Sequence, residues 1–425
     1  MNAEFRRHGA TLFAAAAGVM LSISALPAFV LGVFAGPMTR EFGWSLGAFQ
    51  SGTLVLTAGI LSMTAVVGAL CDRHGARAVA LAGMPAGALG VAGLALAQPP
   101  VWSWYLLMFV AAVLGSGTLP TVWTRMVNAL FVERRGLALG LVLSGSGVFL
   151  LFGPSLAQAL IDAWGWRLAW VALAALPLVA GTTVVALSFR GDDRGGVAPA
   201  AAPRTGAGAA AFTAGGLTHR DAMRDYRFWV MAFGFAAVTA GVGGTNANFV
   251  PLLVSKGYAP IEAAGIVGVL GLAVACGRLS TGYLIDRLWA PGVAAVVLAL
   301  PSIGALMLVG GEVSRADALL AVALLGFAQG AEYDFLAYLT ARYFGLAHYG
   351  RIYGRIVIPI TLATALGAAG VGWSRDWTGD FDVALSVIAV LFILGAASML
   401  SLGRYPRAGV AAPTVFQGRF KQGDA

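Results

Sequence analysis

A chain of 425 residues that is 59% hydrophobic and 11% charged, with a mean hydropathy of +0.82, is not an ordinary soluble protein, whose charged share averages about 25%. The net charge of +8 does not indicate nucleic acid, because the basic residues are scattered over many short polar connections. Continuous apolar runs, in place of alternating ones, exclude a membrane β-barrel, and two cysteines within or at the end of apolar runs imply no disulfide framework and no metal site.

The runs predict an all-α membrane protein with twelve transmembrane helices. In chain order they cover 10–36, 46–70, 77–97, 101–131, 136–161, 166–189, 226–254, 261–285, 291–311, 316–342, 350–373 and 380–403. The first is too long for a cleavable signal and reads as a retained helix. Trp102 and Trp104, at the start of the fourth, are expected at the lipid–water interface. Between the sixth and seventh the composition turns to Gly, Ala, Pro and charge, the signature of a flexible linker. The chain is therefore expected to divide into a bundle at 1–189, a linker at 190–224, a second bundle at 225–403 and a tail at 404–425. Twenty of the 27 Lys and Arg fall on the side of both termini and five on the other. That asymmetry places the termini in the cytoplasm.

The two bundles echo one another. GALCDRHGAR follows the second run and GYLIDRLWAP the eighth, and both set Gly four residues before Asp-Arg: Gly68 with Asp72 and Arg73, Gly282 with Asp286 and Arg287. Gly136 and Gly140 after the fourth run match Gly350 and Gly354 after the tenth. Such halves are related by a pseudo-two-fold axis, with the binding site between them near the midplane.

Four ionisable residues lie inside the runs: Arg125, Arg278, Glu332 and Asp334. At about 1.5 Å per residue, Asp334 lies roughly 12 Å inside Arg342, close to the midplane. A charge there costs about 2.5 kcal/mol or more, so it faces a wet cavity or a partner. Glu332 and Asp334 are about 200° apart around a helix and cannot share a face. Aligning Phe131 with Phe344 sets Thr121 against Asp334 and Arg125 against Tyr338. On that register Arg125, Asp334 and Tyr338 look into the cavity, and Glu332 points away toward the eighth span. Asn246, Asn248, Gln50 and Thr57 are further polar candidates, although amides in membrane helices commonly bond neighbouring helices.

The chain resembles the major facilitator superfamily along its whole length. The Gly68–Asp72–Arg73–Gly75–Arg77 turn is similar to that superfamily's signature between helices two and three. Salt bridges there, and at Asp286 and Arg287, can close in one state and open in another. Within the superfamily the chain most resembles the monocarboxylate porters, including the oxalate–formate type. The resemblance rests on EFGWS at 41–45, RRGLALG at 134–140 and GRLSTGYLIDR at 277–287. It implies that Arg278, with Gly282 four residues on, anchors a substrate carboxylate. Val274 stands where many porters carry an acid, and no Lys follows Pro27 or lies within the eleventh run. A double-cation clamp of the oxalate kind is therefore not implied.

These readings combine into an expected secondary transporter, with no cofactor and no enzymatic constellation. A small organic anion binds Arg278, helped by Arg125, Asn246, Tyr338 and Thr121, and a coupling proton binds Asp334 or Glu332. Gly68, Asp72, Arg73, Arg77, Asp286 and Arg287 gate the path. The protein is expected to act as a monomer in a bacterial inner membrane. The alternative is export of drugs or other small molecules by proton antiport, which the two arginines oppose because they repel cations.

Overall fold

The computed structural model describes residues 3–131, 135–188, 217–285, 287–345 and 348–405. Among them every element is a helix. Eight spans are helical runs close to their predicted bounds: Leu46–His74, Ala76–Leu96, Tyr226–Ser255, Pro260–Ile285, Ala290–Met307, Arg315–Phe344, Tyr349–Thr378 and Asp382–Leu400. The fifth and sixth form one apolar stretch, Ala138–Ser188. Gly165 divides it at φ 77°, a conformation that costs glycine little. The first span is two helices, Ala3–Met20 and Leu26–Phe42, and the fourth is interrupted after Val101–Gly115 before resuming as Pro120–Leu130. With these the count among the described residues is twelve, as expected.

The two interruptions meet. Thr118 accepts a hydrogen bond from the Ile23 amide through Oγ1 at 2.9 Å. A backbone donor freed by one broken helix is thus satisfied by a side chain at the other, as an oil-filled environment requires.

Each half repeats the same packing. Spans two and four, three and four, eight and ten, and nine and ten are neighbours. In the first half Gly145 abuts Ala16, and Phe34 stacks on Trp170 at 3.8 Å. Spans seven and eleven, and seven and twelve, pair in the same manner. Trp104 corrects an expectation. It is buried, stacks on Phe49 at 5.1 Å and donates to the Phe49 carbonyl, whereas Trp102 is exposed. Two residues apart, the rings sit on opposite sides of one helix.

The halves are clasped away from the face that carries both termini. Asp376, at the end of span eleven, accepts from the amides of Leu46 and Gly47 at 3.0 and 2.7 Å. A carboxylate at a helix N-terminus satisfies donors that otherwise lack partners. Gln50 donates to the Ala247 carbonyl at 2.7 Å and to Asn248 at 3.2 Å. Gly32 lies against Ala247, and Gly271 against Gly147. Toward the other face, a side chain built on Gly68, Gly350 or Gly354 would have no neighbour within 4 Å.

Spans eight and ten touch backbone to backbone. A Cβ on Gly330 would collide with Val274 main-chain atoms, one on Gly277 with Phe327, and one on Gly326 with Leu270. Gly326 and Gly330 form the small-xxx-small pattern by which membrane helices approach closely. Gly330→Leu is expected to destabilise the protein by about 1–3 kcal/mol through overpacking, read as a lowered melting temperature in detergent. Gly282→Ala, on the same span but in open space, should leave that temperature unchanged.

Beyond the apolar part of span one, Glu41 accepts from Trp166 Nε1 at 2.6 Å and from Arg167 Nη1 at 2.5 Å. The Trp166 bond first, then Arg167, holds the Glu41 carboxyl below its usual value of 4.5. A lowered folded-state value means that the stabilisation is complete above the unfolded value and fades as pH falls through the folded one. Glu41→Gln should flatten the dependence of melting temperature on pH between about 3 and 5.

Candidate functional site: a cavity between the two halves

Between the halves lies a cavity of about 410 Å³, within the size range of small-molecule sites. Its two walls differ in chemistry. Span one contributes Phe29 and Leu31, span two Leu56 and Ile60, span four Met108 and span five Leu150, with small hydroxyls among them. The second half contributes Asn246, Arg278, Gln329, Glu332 and Tyr333. Thr361 and Thr364 also face it, but their hydroxyls donate to carbonyls of their own helix. The first half thus offers an apolar wall and the second a polar one bearing both lining charges.

Arg278 is held by the glycine contact of spans eight and ten. Its Nε lies 3.4 Å from the Gly330 carbonyl and 3.5 Å from Asp334 Oδ2. About a quarter of the Arg278 side chain and over a third of the Asp334 side chain are accessible, 24% and 38%. The pair is long and partly wet. Its geometry allows the acid to be displaced. Among the described residues no acceptor takes the two Nη groups, which leaves the flat fork that suits a carboxylate.

Glu332 is 4% exposed and lines the cavity within electrostatic reach of Arg278. This reverses the orientation expected for span ten. Residues 329, 332 and 333 line the cavity, the i, i+3, i+4 set of one helix face. Asp334 falls off that face and meets Arg278 from the side. Asn246 lines the cavity, whereas Asn248 donates to Gly244 and Ala368 carbonyls and ties spans seven and eleven together.

Arg125 is not a cavity residue. It pairs with Asp72 at 2.5 Å, near the ends of spans four and two. Thr121 is exposed, and Tyr338 packs against the core away from the cavity lining. Thr121 and Arg125 lie on the short separate helix Pro120–Leu130, which starts after the extended Leu119 at φ −60° and ψ 150°, so matching its residues to the continuous tenth span does not carry over which face looks inward. The four ionisable residues of the apolar runs therefore divide into three central groups and Arg125, paired peripherally with Asp72.

The other residues expected to gate the path lie at the terminal face. Arg77 donates to the Ala186 carbonyl at 3.2 Å, Arg287 stacks over Tyr283 at 4.0 Å, and Arg73 is exposed. Asp286 lies outside the described residues. Gln329 and Tyr333 escaped the sequence reading. Their one available signal was helical spacing from Glu332.

Comparison with known proteins agrees with this architecture. The model of the Major Facilitator Superfamily matches residues 12–368. Monocarboxylate transporter 11 of Mus musculus is 30% identical over 352 residues, covering 79% of this chain and 74% of its own length. The Homo sapiens protein of the same name is 30% identical, covering 79% and 70%. Among solved structures, a bacterial homologue of the human lysosomal transporter Spinster, in an inward-facing and occupied conformation, superposes with a TM-score of 0.70 at 16% identity. That match covers 95% of this chain and 97% of the other. With a family match over most of its length, relatives that are monocarboxylate transporters and the same fold, the chain is a multi-pass membrane protein of the Major Facilitator Superfamily, a family of transporters and not of enzymes.

Proposed function

We propose that this transporter moves a small organic carboxylate by alternating access, coupled to a proton. The observation that carries the reading is the placement of Arg278: it lines the cavity between the halves and shares its guanidinium with Asp334 at 3.5 Å. The names of the relatives, monocarboxylate transporters, support the same substrate class.

The exchange follows from the pair's geometry. A substrate carboxylate docks on the Arg278 fork and competes with Asp334 for the same cation. An acid stripped of its partner in a low-dielectric site favours the neutral form, so substrate arrival and proton uptake go together. The loaded site then carries less charge, and the halves, joined through 190–224, rock about it. Asp376 and Gln50 clasp one side of this cycle. The Asp72–Arg125 pair, with Gly68, Arg73, Arg77 and Arg287, belongs to the other. Of the two acids, Asp334 is the proton carrier in this reading, and its direct contact with Arg278 supports that choice. The charge asymmetry of the connections supports cytoplasmic termini in a bacterial inner membrane, with the monomer as the working unit. Export of lipophilic cations fits less well, because the guanidinium stands in the path they would take.

Proteoliposomes given a panel of labelled carboxylates, with and without a pH gradient, test this reading. Wild type should accumulate at least one acid when the gradient is imposed. Arg278→Ala should abolish that uptake while leaving expression and melting temperature intact. Asp334→Asn should still exchange substrate across the membrane but lose accumulation driven by the gradient. Uptake by Arg278→Ala at the wild-type rate would sink the assignment.

A further inference from the structure

The cavity holds more hydrogen-bond acceptors than a simple acid can use. Glu332 Oε2, Gln329 Oε1 and Asn246 Oδ1 are buried and accept no hydrogen bond from the protein. All three residues line the cavity that Arg278 enters, and Glu332 is 4% exposed. Leaving an acceptor unmade in a low-dielectric site is costly, and more so for a charged one. An acid whose carboxylate sits on Arg278 brings acceptors and no donors, so it leaves these three oxygens as they were.

We propose that the physiological substrate class is zwitterionic: an α-amino acid, or a similar amine-bearing carboxylate, with an apolar side chain. The proposal rests on the reading of Arg278 given above and deepens it. Arg278 takes the carboxylate. Glu332, Gln329 and Asn246 take the ammonium, whose N–H groups supply the donors these oxygens lack. The apolar tail lies against Phe29, Leu56, Met108 and Leu150 of the opposite half. Head and tail thus touch different halves, and a bound substrate bridges the two bodies that must move together. Glu332 binds substrate in this scheme, and Asp334 is left to carry the proton.

Matched probes decide it. Competition against uptake of labelled leucine and phenylalanine would be measured in proteoliposomes with isocaproate and hydrocinnamate, which lack the amine, and with phenethylamine, which lacks the carboxylate. The amino acids should compete about tenfold or more better than their deaminated partners, and phenethylamine should fail. Glu332→Gln should bring that ratio close to one. Folding of the variant would be checked by its melting temperature, and the wild-type panel decides the question without it. If the deaminated acids compete as well as the amino acids, the zwitterion proposal is overturned while the role of Arg278 survives. If no carboxylate competes, or phenethylamine does so as well as phenylalanine, the reading of Arg278 itself falls, and this proposal with it.

Discussion

The close approach of spans eight and ten governs this molecule. Gly277, Gly326 and Gly330 let two helices meet main chain to main chain, and that contact sets Arg278 beside the Gly330 carbonyl and Asp334. With larger residues the helices would stand farther apart, and the guanidinium would lose its hold on span ten. A cation in the middle of a membrane protein needs a partner. Here the partner is near enough to hold it and loose enough to be replaced.

Around that contact the cavity is divided by half. The first half lines it with Phe29, Leu56, Met108 and Leu150, and the second with Asn246, Arg278, Gln329 and Glu332. The two walls are therefore not chemically equivalent, although the helices that carry them are related by the pseudo-symmetry of the fold. An amphipathic substrate can be oriented by such a site, because turning it over would bury its charged end against the apolar wall.

At the closed face the clasp is built from backbone as much as from side chains. Asp376 reaches the first amides of span two, and Gln50 reaches the Ala247 carbonyl. Contacts of this kind satisfy groups that are otherwise left over at helix ends. They can be released when water enters, since water offers the same hydrogen bonds.

The spans, their number and the presence of charge near the midplane were determined by the sequence alone. Oil imposes length and hydropathy on every segment that crosses it, and such constraints are local. Arg278 was likewise legible, as a fixed cation inside an apolar run. Which carboxylate meets it was decided only by tertiary structure. Arg125, on the helix that resumes after the break at Ser116–Leu119, meets Asp72, while Glu332 lines the cavity and Asp334 meets Arg278 from the side. Helical periodicity fixes the angle between neighbouring side chains, but the face that looks inward depends on how the helices pack. That packing rests on glycine contacts between segments about 50 residues apart in sequence.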